Sequence, residues 1–65
     1  MKVIYVNECT LSDESKVYDV VMYDYDQDST EDRIRINCAS RKQAIDLAIT
    51  LKDAVNKSGD KAELA

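Results

Sequence analysis

The chain has 65 residues, and a domain of that size buries only about 60% of the surface its unfolded chain exposes. Such a domain gains from a disulfide, a metal or a second chain, yet with no His and only Cys9 and Cys38, a four-ligand zinc site of thiolates and imidazoles cannot be built. The net charge of −4 is unevenly spread: residues 1–32 carry nine acids and two bases, net −7, and residues 33–65 carry seven bases and four acids, net +3. That asymmetry bears on partners rather than on fold.

Residues 2–7 (KVIYVN) are β-branched and aromatic without helical spacing, which predicts a strand with both faces at least partly covered. The apolar run from Val3 to Val6 is too short for an export or membrane-spanning segment. A soluble cytoplasmic protein with Cys9 and Cys38 as free thiols is therefore expected, because thiols stay reduced in that compartment. Residues 8–15 (ECTLSDES) form a turn-rich connection pinned by Leu11. Residues 16–25 (KVYDVVMYDY) predict a second strand, with Tyr18, Val20 and Met22 on one face and Val17, Asp19, Val21, Tyr23 and Tyr25 on the other. An acidic loop follows, from Asp24 to Asp32. Residues 33–38 (RIRINC) alternate strictly, directing Ile34, Ile36 and Cys38 one way and Arg33, Arg35 and Asn37 the other.

Ser40 followed by Gln43 is a capping box, so a helix is predicted over 41–57, with Gly59 as its stop. Ala44, Leu47, Ala48, Leu51, Ala54 and Val55 fall within roughly 120° of arc, a core-facing stripe. Ile45 and Ile49 lie off that stripe and form a second ridge that needs separate cover. The small Ala44 and Ala48 permit close approach to a sheet.

The predicted fold class is α+β: one domain over 1–65, with a three-stranded antiparallel sheet (2–7, 16–25 and 33–38), one C-terminal helix (41–57) packed on one face, and a loose tail over 60–65. The helix is expected on the face carrying Tyr18, Val20, Met22, Ile34 and Ile36. The other face then shows Val17, Val21, Tyr23, Arg33 and Arg35 together with either Val3 and Tyr5 or Ile4 and Val6, and exposed apolar surface rimmed by charge marks an interaction site.

Candidate sites follow from these placements. Asp24, Asp26 and Asp28 have the spacing of the first three ligands of a calcium-binding EF-hand loop, but Ser29 stands where that loop needs Gly and Arg35 where it needs Glu. No metal and no cofactor is expected. Asp24, Asp26, Asp28, Glu31 and Asp32 instead form a steering surface for solubility, or a mimic of a phosphate backbone aimed at a basic nucleic-acid-binding protein. Arg33, Arg35, Arg41 and Lys42, with Tyr23 as a stacking platform, outline a nucleic-acid surface, which the acidic net charge opposes. Catalysis has no support. General acid-base chemistry needs a tuned side chain in a pocket, the chain has no His, and it is too short to enclose a drug-sized cavity of about 300 Å³. No membrane or small-molecule substrate is expected.

The expected function is a small non-enzymatic protein-protein interaction module, accessory or inhibitory, of the kind phages and mobile elements encode. Its partner is a second copy or another protein. Val21, Tyr23, Tyr25, Arg33, Arg35, Ile45 and Ile49 are the expected contact residues, because tyrosine and arginine serve well where an apolar body meets a wet rim.

Overall fold

The β-branched run at the N-terminus and the alternation after residue 16 are long enough to pair over their whole length. In the computed structural model, which describes residues 1–26 and 33–65, β1 (Lys2–Thr10) and β2 (Lys16–Asp24) form an antiparallel hairpin in unbroken register from Lys2 opposite Asp24 to Thr10 opposite Lys16. β1 thus runs three residues past the expected strand end. The turn closes with the Leu11 N–H donating to the Ser15 carbonyl at 2.8 Å, and with the Ser15 N–H and hydroxyl donating to the Asp13 carboxylate. Glu14 takes a left-handed φ of 69° there.

β3 (Ile34–Cys38) pairs antiparallel with β2, setting Ile36 opposite Val20 and Cys38 opposite Tyr18. Helix α1 (Arg41–Lys57) has the predicted bounds. Ser40 Oγ accepts from the Gln43 N–H at 3.2 Å, while Gln43 Oε1 accepts from the Ala39 N–H at 3.2 Å, one residue ahead of the cap. Gly59 (φ 95°) ends the helix in a Schellman turn, with the Asp60 N–H on the Val55 carbonyl and the Gly59 N–H on the Asn56 carbonyl, both at 3.3 Å.

The α+β class is as expected, but the sheet is mixed and has four strands, in the order β3-β2-β1-β4. The tail expected to be loose supplies the fourth, β4 (Ala62–Leu64), parallel to β1 with Ala62 opposite Lys2 and Leu64 opposite Ile4. The Schellman turn reverses the chain at the edge of β1, and Asn56 Oδ1 accepts the Ala62 N–H at 3.0 Å, which ties the new strand to the helix. Because β3 and β4 both run parallel to β1, β3-α1-β4 is a crossover that spans the two strands between them.

The helix covers the predicted face. Ile4, Val20, Cys38, Ala44, Ala48 and Ala62 form the buried cluster, and Val6, Tyr18, Met22, Ile36, Leu47, Leu51 and Val55 pack around it. Ala44 and Ala48 have no bulk to hold the helix off the sheet, so Ile4 and Val20 are closed over almost completely, which is worth about 1.5–3 kcal/mol for each such side chain relative to leaving it in water. Ala54 and Ile34 stay exposed; Ile34 stands at the start of β3, away from the end of that strand where the helix begins.

Candidate functional site

Two surfaces carry the residues singled out above. On the face away from the helix, Val3 and Tyr5 rather than Ile4 and Val6 represent β1. Tyr5 and Tyr23 meet edge to face with ring centroids 6.1 Å apart, the Arg33 guanidinium lies 4.7 Å from the Tyr23 centroid, and Arg33 donates to the Tyr5 hydroxyl at 3.4 Å. Beside them Asp19 accepts from Asn37 at 3.1 Å and lies 4.0 Å from Arg35. Long side chains from neighbouring strands thus contact one another across this face, and Val21 among them is fully buried, at 0% exposure. Val21 is the floor of this patch and offers nothing for a partner to touch. Arg33 already occupies Tyr23, and Tyr25 stands apart, 67% exposed at the end of β2.

The second surface lies on the flank of the helix. α1 crosses the sheet diagonally, from the end of β3 to the start of β4, and leaves a corner of the sheet uncovered. There Ile45 and Ile49 of the helix, Val6 and Tyr18 of the sheet and Leu64 of β4 line an open groove of about 320 Å³, with Glu8 and Arg41 as its charged members. Ile45, Ile49 and Leu64 are 40%, 45% and 44% exposed. The ridge that the helical wheel set aside is therefore one wall of a groove. Its other wall, Leu64, belongs to β4, in the segment expected to be a loose tail. The volume exceeds what the chain length led us to expect, because the site is a trough between two elements rather than an enclosed cavity.

The acidic segment divides at the limit of the described residues. Asp28, Glu31 and Asp32 lie outside them. Asp24 and Asp26 are engaged by the amino terminus: the Met1 ammonium donates to Asp26 Oδ2 at 2.8 Å and lies 3.5 Å from Asp24, which also holds Lys2 at 3.4 Å. Asp24 titrates below the usual carboxylate range, foremost because it accepts the Asp26 N–H, with the charges of Met1 and Lys2 adding to the effect. The Met1 ammonium is raised chiefly by its bond to Asp26. Glu8 is lowered by its pairing with Lys16 at 2.9 Å. Among the described residues no three His, Cys, Asp or Glu side chains cluster as metal ligands. Cys9 is exposed on the tyrosine face and Cys38 is buried on the helix face, so β2 separates the two free thiols.

The arrangement defines a class: an α+β domain of a four-stranded mixed sheet and one helix, with a self-covered tyrosine-arginine face and an apolar groove on the helix flank. No protein-family model matches this chain, and no curated protein or solved structure matches it either.

Proposed function

We propose that this protein is a non-enzymatic protein-protein interaction module, accessory or inhibitory in role, that docks its partner in the groove between Ile45, Ile49 and Leu64. The observation that carries this reading is the exposure of those three large aliphatic side chains together, since exposed apolar surface grouped within charged surroundings is characteristic of a docking site. The tyrosine-arginine face serves as a secondary contact through Tyr25 and Arg35, its more exposed members. In this reading the domain acts in the cytoplasm with both thiols reduced. Among the described residues no helix is long and apolar enough to cross a membrane.

Mimicry of nucleic acid has less to support it, because Asp24 and Asp26 are paired with the Met1 ammonium, which offsets part of the charge they would offer a cationic groove. Capture of partners from source cells separates the readings. Ile45→Lys with Ile49→Lys is expected to lower partner recovery at least tenfold, whereas Asp24→Asn with Asp26→Asn leaves it within twofold. The reverse pattern would favour mimicry.

A further inference from the structure

We infer that the partner in the groove is a second copy of this chain, joined to the first by antiparallel pairing of the two β1 strands along the edge that β4 leaves open; this rests on the interaction reading above. The Tyr25 N–H donates to the Met1 carbonyl, whereas the Lys2 N–H bonds to Lys61 and the Ile4 carbonyl accepts from Ala65. Odd-numbered residues of β1 therefore direct their backbone groups at β2, and even-numbered residues direct theirs at the opposite edge. β4 pairs only with Lys2–Ile4. Among the described residues, the backbone groups of Val6, Glu8 and Thr10 on that edge meet no strand. A row of unpaired donors and acceptors is a template for another strand, and β4 already shows an extended segment docked on the same line.

Register favours an axis at Cys9 over one at Glu8. Ala65 occupies the neighbouring line as far as Ile4, so an antiparallel neighbour must bring its turn, Leu11–Ser15, no closer than that. A two-fold axis at Glu8 would push the turn into Ala65 and set Glu8 beside its own copy, a like-charge contact that destabilises a sheet. An axis at Cys9 avoids both. It makes Glu8 and Thr10 of one chain a hydrogen-bonded pair with Thr10 and Glu8 of the other, four backbone bonds in all, and sets the two Cys9 residues opposite each other as a non-bonded pair.

The same axis accounts for the groove. Opposed residues in an antiparallel pair share a face, so both helices lie on one side of the joined sheet. Each presents its Ile45 and Ile49 ridge toward the junction, because that ridge lines the groove beside Val6 and Glu8.

Sedimentation velocity of the full chain from 10 to several hundred μM tests this. The wild type is expected to form a concentration-dependent dimer, and Thr10→Pro, which removes two of the four bonds while leaving the bonds to β2 intact, weakens it at least tenfold. Ile49→Lys, on the exposed helix flank and safe for folding, does the same. A mild thiol oxidant links the dimer through Cys9, and Cys9→Ser abolishes the link while Cys38→Ser does not. A wild type that stays monomeric, a dimer indifferent to Thr10→Pro with its circular dichroism unchanged, or no link at Cys9 each overturns the pairing. Should self-association fail while the Ile45 and Ile49 variants still lose a captured partner, the interaction reading stands and only the identity of the partner changes. If those variants lose nothing in either assay, both fall.

Discussion

The two faces of the sheet bury neighbouring residues by different means. Val20 and Val21 are adjacent in the chain and 1% and 0% exposed, yet Val20 lies under a helix and Val21 lies on the face where Tyr5, Tyr23, Arg33 and their neighbours contact one another. A helix brings a continuous apolar stripe with its backbone already hydrogen-bonded, so the cover is rigid. The other cover consists of long side chains held by one edge-to-face pair, one cation-π contact and a few polar bonds. Each of those is worth about 0.5–1.5 kcal/mol. A single layer of sheet can thus have two cores, one built from an element and one improvised from amphipathic side chains.

The two valines separate these covers most sharply. Val20→Ala and Val21→Ala each remove two methyl groups from a closed site, so each is expected to cost about 2 kcal/mol in urea unfolding. A cost for Val21→Ala of only a few tenths would mean that the tyrosine-arginine layer yields to fill the space and is no core at all. A finer measurement is a double-mutant cycle on Tyr23→Leu and Arg33→Met. Coupling of about 0.5–1 kcal/mol is expected, as for a partly exposed cation over an aromatic ring, and zero coupling would reduce Arg33 to a bystander.

The smallest effects come from the ion pairs at the rims of both faces. Asp24, Glu8 and Asp13 have lowered folded-state pKa values, so what they contribute is complete above the ordinary carboxylate range near pH 4 and is lost as pH falls through the lowered values. The Met1 ammonium is raised above 8.0, so its contribution is complete below that pH and is lost as pH rises through the raised value. Stability should be flat from about pH 5 to pH 8 and decline on both sides. Acetylating the amino terminus should remove the decline just above pH 8 and leave the acid side in place. Persistence of that alkaline decline after acetylation would show that Met1 and Asp26 contribute nothing.

Much of the fold was legible because it is written in short-range patterns. Strict alternation assigned Ile34, Ile36 and Cys38 to the helix face, and Ser40, Gln43 and Gly59 bounded the helix at both ends. The ridge of Ile45 and Ile49 was also visible on the wheel, although what stood across from it was not. Site assignment fared less evenly. Val21 looked exposed because a strand pattern reports the face of a residue, while burial on that face depends on side chains arriving from two other strands.

β4 was missed for a related reason. Ala62, Glu63 and Leu64 alternate with period two, but three residues carry too little pattern to separate a strand from a tail. The amino-acid sequence by itself determined the α+β class, three strands with their inward faces, and a capped amphipathic helix, since periods of two and 3.6 are local properties. Only the tertiary structure decided that the sheet is mixed, that Leu64 faces Ile45 and Ile49 across a groove, and that, among the described residues, β1 beyond Ile4 keeps an open edge. Those features depend on where the helix ends after crossing two strands, a distance that no local pattern records.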